Sequence, residues 1–216
     1  MMDLISPTKM RQIYRFIKLM GFFVTFNLAS DTPYPVYHLN TDQWQYLING
    51  EVVVIHTTPD FGDGEHFQAY ILIEAPIEDI FAVVSNFSEY NQFMPRVQDV
   101  LTTNLENSDP LFTYIIDLPL GLEYKYRISI NTFTSDSLNW LSWQMKDWDE
   151  NSIADTWGQW VLTPIENDPE TILVQYQAYT DPGYVPYGLG WVVDMVTKNN
   201  LPEILMNTKK RVKKYE

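Results

Sequence analysis

Gly188-Leu-Gly-Trp191-Val-Val-Asp-Met195-Val-Thr-Lys-Asn-Asn200-Leu-Pro202-Glu-Ile204-Leu-Met-Asn-Thr208-Lys-Lys-Arg211-Val-Lys-Lys-Tyr215 runs to within one residue of the C-terminus. Leu189, Val192, Val193 and Val196 recur at helical spacing, and Leu201, Ile204, Leu205, Thr208 and Val212 continue the stripe. The segment therefore reads as a long amphipathic helix with one broad apolar face, on which Ile204 is a core residue. Pro202 lacks an N–H and crowds the carbonyl four residues back, so a kink or break is expected near Asn199 and Asn200. Nearly everything upstream alternates like short strands. A single long helix behind so many strands needs a sheet to cover its apolar face. The expectation is a sheet curled round this helix, with the functional site in the space between them.

Working back from the helix, strands are expected at 171–180, 156–165, 138–147, 123–133, 111–118 and 97–105. The 123–133 stretch is the clearest. Tyr124, Tyr126, Ile128 and Ile130 point one way and Glu123, Lys125, Arg127 and Ser129 the other, as in an antiparallel sheet with one buried and one wet face. Upstream of these, 76–87 reads as a helix admitted by Pro76, with Ile77, Ile80, Phe81 and Val84 as its apolar face. A short second helix follows and stops at Pro95. Two further strands, at 51–58 and 67–73, precede it, and residues 31–42 read as an irregular lead-in. No internal repeat or linker appears, so 31–216 is taken as one domain.

Residues 1–30 match a secretory signal: Arg11, Arg15 and Lys18 precede an apolar run at 19–29 that ends on Ala29. The run is too short to cross a bilayer comfortably. The expectation is export to the periplasm, with a cytoplasmic protein if the segment is not cleaved; the competing reading is an amphipathic helix packed on the domain. The chain carries −14 formal charges, and five of its basic residues are Lys209, Lys210, Arg211, Lys213 and Lys214. An acidic body repels phosphate backbones, which argues against nucleic acid as a partner. The basic end complements the helix dipole; a transient contact with anionic lipid headgroups is the sharper reading of the same residues.

Four stretches carry a resemblance to a known family. They are Trp44 with Asn49-Gly50-Glu-Val-Val-Val; Ala75-Pro76 with Ile80-Phe81-Ala-Val-Val; Phe87-Ser-Glu-Tyr90-Asn-Gln-Phe93-Met94-Pro95; and Trp157-Gly158-Gln-Trp160-Val-Leu-Thr-Pro164, continued by Val174-Gln-Tyr176 and Asp181-Pro182-Gly183. In order and spacing they resemble the StAR-related lipid-transfer (START) domain, its bacterial branch in particular, within the wider polyketide-cyclase-like superfamily. The resemblance implies an α+β helix-grip fold: a curved antiparallel sheet wrapped round a long C-terminal helix, with two short helices between strands 2 and 3. It also implies binding, extending to transport, of a lipid or other hydrophobic small molecule in an internal cavity. The segment Asp117-Leu-Pro119-Leu-Gly-Leu-Glu123-Tyr-Lys125 departs from the bacterial pattern, since the proline remains but the aromatic and the arginine that usually follow are gone.

The residues themselves offer little conventional chemistry. There is no cysteine, and His38, His56 and His66 are not spaced as metal ligands, so neither a metal nor a cofactor is expected. No Gly-x-Ser-x-Gly elbow, P-loop or dinucleotide fingerprint is present. Aromatics are the unusual resource. Phe93, Tyr114, Tyr126, Ile128, Trp143, Trp160, Tyr176, Tyr187, Trp191 and Met195 are the candidate ligand-binding residues, with Trp148, Trp157, Tyr124 and Tyr179 placed among the facing aromatics. Tyrosine suits such a lining because its ring contacts a tail while its hydroxyl meets a polar group. Asp181-Pro-Gly-Tyr184-Val-Pro-Tyr187-Gly-Leu-Gly190 is the candidate gate. A cyclase- or hydrolase-type enzyme acting in the same cavity is the alternative. Arg96, Lys125 and Arg127 are the few cations that could polarise a carbonyl there, with Lys125 and Arg127 expected outside. An interaction module is a third reading. The oligomeric state is left open.

Overall fold

A computed structural model describes residues 39–58, 64–106, 108–185, 187 and 200–214. The expected signal at 1–30, Trp191, Met195 and the first half of the last helix lie outside the described residues.

Eight strands form one antiparallel sheet: β1 (Val53–Thr57), β2 (Glu65–Glu74), β3 (Val97–Leu105), β4 (Ser108–Asp117), β5 (Glu123–Phe133), β6 (Asn139–Met145), β7 (Asp155–Ile165) and β8 (Asp168–Asp181). Their spatial order is β1-β2-β8-β7-β6-β5-β4-β3. Strands β3 to β8 follow one another as a meander, which antiparallel pairing through short turns allows. The one long-range pairing is β2 with β8, in register from Glu65 with Thr180 to Glu74 with Thr171. The sheet is curved and holds the C-terminal helix.

Helix α1 (Thr41–Ile48) precedes β1, helix α2 (Ile77–Ser85) and a 3-10 turn (Phe87–Gln92) separate β2 from β3, and helix α3 (Leu201–Val212) ends the described chain. Helices α2 and α3 pack on each other; α3 also touches β2, and α2 touches β6 and β7. Their apolar sides meet Ile71 and Ile73 of β2 and Leu162, Ile172 and Val174 in one core, with Ile80, Val84 and Leu205 fully buried. Each such side chain contributes about 1.5–3 kcal/mol of burial. Pro202 sits in the first turn of α3, where its missing N–H is harmless.

Two expectations are corrected. Residues 41–48 form α1, where the sequence reading has an irregular lead-in running to residue 42 and no helix before the first strand. Asn40 caps it: its side-chain oxygen accepts the Gln43 N–H at 2.9 Å, and the Gln43 side chain accepts the Asn40 N–H at 2.8 Å. This reciprocal arrangement fixes a helix start. Leu47 of α1 is buried with Val53 and Tyr70 on the face of β1 and β2 turned away from the core. That outer face is the second correction, because it is not wet across β2, β8 and β7. Gln68, Gln177 and Gln159 stand side by side across the three strands and are fully buried. Tyr70 donates to Gln68 at 2.6 Å, Gln159 donates to Gln177 at 3.1 Å, and Gln177 lies 2.9 Å from His66 Nε2. The row satisfies itself only in part, since Gln68 Nε2 and Gln159 Oε1 are buried without a hydrogen-bond partner among the described residues, a cost that buried amides rarely carry.

Candidate functional site: an aromatic cavity

Between the concave face of the sheet, the aromatic turn after α2 and the start of α3 lies a partly enclosed cavity of about 150 Å³. Strand alternation builds it. Tyr114 and Ile116 of β4, Tyr124, Tyr126, Ile128 and Ile130 of β5, Leu141 and Trp143 of β6, Trp160 of β7 and Tyr176 of β8 all turn the same way, into it. Phe87, Tyr90 and Met94 close one side, and Asn200, Leu201 and Ile204 another. Glu65, Thr156 and Thr180 lie at the sheet end where β2 starts and β8 finishes.

The rings form two connected groups. Tyr114 and Tyr126, cross-strand partners, stack with centroids 5.6 Å apart, and Tyr90 meets Tyr114 edge-on at 6.1 Å. Trp160 packs against Tyr176 at 4.6 Å, and Trp143 stacks on Tyr176 at 5.5 Å. Trp143 lies over Gly158, its cross-strand partner: a methyl group there would come within 2.3 Å of the indole and 2.2 Å of the Gln177 carbonyl oxygen. Gly158 is thus needed for close approach.

The Tyr90 hydroxyl donates to the Val84 carbonyl and ties the turn to the end of α2. The phenols of Tyr90, Tyr114, Tyr126 and Tyr176 are all pushed up by burial, which acts alone on Tyr126; for Tyr114 the nearby Tyr90, Tyr126 and Tyr176 hydroxyls add to it, and for Tyr176 the Tyr126 hydroxyl does. For Tyr90 the Tyr176 hydroxyl adds to burial, while a hydrogen bond with Trp160 partly opposes it. All four are protonated at neutral pH, because ionisation would place charge in an apolar space. Among the described residues the cavity wall holds no lysine, arginine or histidine, and Glu65 is its one carboxylate. No three His, Cys, Asp or Glu side chains among the described residues could together hold a metal ion.

Six of the ten candidates, Tyr114, Tyr126, Ile128, Trp143, Trp160 and Tyr176, line this cavity. Phe93 does not: Tyr90 and Met94 take the inward positions of the turn, and Phe93 faces a groove against α3, its ring under the Arg211 guanidinium at 5.8 Å. Tyr187 is wholly exposed, as is most of Tyr184. Trp148 lies outside the cavity as well, carrying Arg127 over its ring at 4.1 Å and Lys125 at 5.0 Å. Lys125 also pairs with Glu150 at 2.8 Å. Trp157 and Tyr179 stack on the outer face at 5.1 Å. Ile204, assigned to the core, borders the cavity. Phe67, Phe87, Tyr90 and Met94 are cavity residues that the candidates omitted; the aromatic run after α2 was the signal for the last three, and the alternation of β2 for Phe67.

A second, wider space of about 450 Å³ lies between residues 91–95 and α3, rimmed by Glu203, Lys210, Arg211 and Lys214. It is an open, largely polar surface groove, whereas small-molecule sites are enclosed and mostly apolar. The smaller cavity is therefore the candidate site. Pockets for drug-sized ligands run to about 300–1,000 Å³, and a cavity of about 150 Å³ matches a single ring. A larger guest requires the walls to move.

No protein-family model and no curated protein matches the chain. Solved structures do. Human StAR-related lipid transfer protein 5 superposes with a TM-score of 0.64 at 11% identity, covering 97% of this chain and 99% of its own. A STAR-related lipid transfer protein from Xanthomonas axonopodis gives 0.56 at 16% identity, over 75% of this chain and 93% of its own. The di-domain ARO/CYC StfQ from the steffimycin biosynthetic pathway gives 0.51 at 13%, over 81% of this chain and 54% of its own. The architecture is therefore the helix-grip fold. It is the fold of these human and bacterial StAR-related lipid transfer structures.

Proposed function

We propose that the protein binds a lipid or other hydrophobic small molecule in the cavity between sheet and α3, and that it carries this molecule rather than transforming it. The observation that supports this most is the wall of aromatic and aliphatic side chains. Burying each CH₂ of a guest contributes about 0.8 kcal/mol, so affinity needs no further chemistry. The human and Xanthomonas lipid transfer proteins with which the chain superposes point the same way. A cyclase- or hydrolase-type reading needs an acid or base poised near the working pH. The cavity tyrosines are pushed away from that range, and Arg96, Lys125 and Arg127 are not on its wall. Organic extraction of the purified protein followed by mass spectrometry, together with uptake of a fluorescent fatty-acyl probe, tests the proposal. A bound apolar molecule or saturable uptake is expected; neither would sink it. Export with removal of residues 1–30 is proposed from the sequence alone, and N-terminal sequencing of the protein from its host decides it.

A further inference from the structure

We propose that the cavity selects an uncharged ligand bearing an oxygen acceptor (a ketone, ester or ether oxygen) on an apolar body, held by the hydroxyls of Tyr114, Tyr126 and Tyr176. This rests on the cavity being the binding site.

The case begins with the polar inventory of an otherwise apolar wall. Tyr90 spends its hydroxyl on the Val84 carbonyl. Tyr114, Tyr126 and Tyr176 face the same space, and their hydroxyls meet no protein acceptor among the described residues. Tyr114 is 8% exposed. A guest oxygen gives these donors an acceptor inside an otherwise apolar space, which adds a hydrogen bond to the burial of the guest's apolar body. Tyr114 and Tyr126 stack as cross-strand partners, and Tyr126 is near enough to Tyr176 across the same cavity for its hydroxyl to push that phenol up, so the three donors share one region. The upward shift of each phenol keeps it a donor and keeps the region neutral.

Charge decides what kind of acceptor fits. A carboxylate or phosphate is the strongest acceptor, but burying an anion needs a paired cation. The described wall has none, and Glu65 adds repulsion. A cation could use the aromatic faces and Glu65, but it would leave all three hydroxyls without an acceptor. A neutral oxygen alone satisfies donors and field together. A plain hydrocarbon fits the shape and wastes the donors.

Single-ring probes match the cavity volume, and three of them share one shape: acetophenone, cumene and benzoate. Benzyltrimethylammonium supplies the cation. Affinities are measured by titration calorimetry on the full chain and on Tyr114→Phe, Tyr126→Phe and Tyr176→Phe, which keep the rings. A carbonyl oxygen accepts two hydrogen bonds, so at least two of the three variants are expected to weaken acetophenone about threefold to tenfold, the worth of one neutral hydrogen bond, and all three to leave cumene within about twofold. In the unaltered protein, benzoate and benzyltrimethylammonium should bind at least about tenfold more weakly than acetophenone. That comparison stands even where a variant fails to fold. Variants that shift acetophenone and cumene alike, or a charged probe that binds as tightly as acetophenone, overturn the proposal while leaving an apolar binding cavity in place. No binding of either neutral probe sinks the cavity reading as well.

Discussion

Replacing Gly158 by alanine tests how tightly the cavity wall is packed. The added methyl group would meet the Gln177 carbonyl oxygen at 2.2 Å and two carbons of the Trp143 indole at 2.3 and 2.6 Å. Nothing in a strand backbone opposes alanine here, so the whole effect is steric. The carbonyl belongs to the β7–β8 ladder and cannot retreat without spreading two strands. The indole can move, but only off Tyr176 and into the cavity. Overpacking of this kind costs about 1–3 kcal/mol. With a urea m-value of about 3 kcal/mol per M for a chain of this size, the midpoint falls by about 0.3–1 M. Acetophenone affinity falls with it, because the displaced indole takes guest volume. Combining Gly158→Ala with Trp143→Leu removes the indole contact but not the carbonyl one. The double variant should be less destabilised than the sum of the singles by at least about 0.5 kcal/mol. An unchanged midpoint in Gly158→Ala, or strict additivity in the pair, would refute the claim that Trp143 is wedged over this glycine.

Other outcomes follow from single contacts. Tyr90→Phe leaves the buried Val84 carbonyl without its donor and should lower stability by about 1–3 kcal/mol, read from the urea midpoint; wild-type stability would show that the bond does not hold the turn. Arg211 bonds Glu89 and donates to Gln92 at 2.9 Å, so Arg211→Met should destabilise by a similar ~1–3 kcal/mol, and Glu89→Gln in that background should recover part of the loss. Unfolded tyrosines ionise near pH 10, whereas the four cavity phenols resist ionisation in the folded state. Their contribution is intact below about pH 10 and is lost as pH rises further, by about 1.4 kcal/mol per pH unit for each tyrosine. Absorbance at 295 nm should show a late step coincident with unfolding by circular dichroism; complete titration of a still-folded protein would contradict it. Tyr187→Ala should leave stability within about 0.5 kcal/mol, since the side chain is wholly exposed, while a fatty-acyl probe should bind more weakly if the 181–190 loop covers the mouth.

Much of this molecule is local and therefore readable in the chain. The period-two alternation of 123–133 sorted Tyr124, Tyr126, Ile128 and Ile130 from Lys125 and Arg127, and the structure puts the first set in the cavity and the second over Trp148. Pro76, Pro95 and Pro202 marked helix limits because a missing N–H acts on its own segment. The α1 helix was readable too, through Asn40 and Gln43, but a single capping box in a short segment is easily read as a turn. Phe93 was the opposite case. In a 3-10 turn residues three apart share a face, which groups Phe87 with Tyr90, but the turn ends at Gln92 and Phe93, at φ −143°, leaves that geometry, so Met94 takes the next inward position.

Side-chain period and chain punctuation thus set eight strands, the helices between them and the need for a sheet to close on the last helix. They act through neighbouring residues, and a sequence displays neighbours. The tertiary structure alone decided which residues share a site. Tyr114 and Tyr126 meet because β4 and β5 pair in one register, and Tyr176 joins them because the sheet curves until β8 faces them across the cavity. The same long-range pairing buries Gln68, Gln159 and Gln177 on a face that alternation marks as solvent. Register and curvature are properties of several strands at once, fixed by packing over distances that no local pattern records.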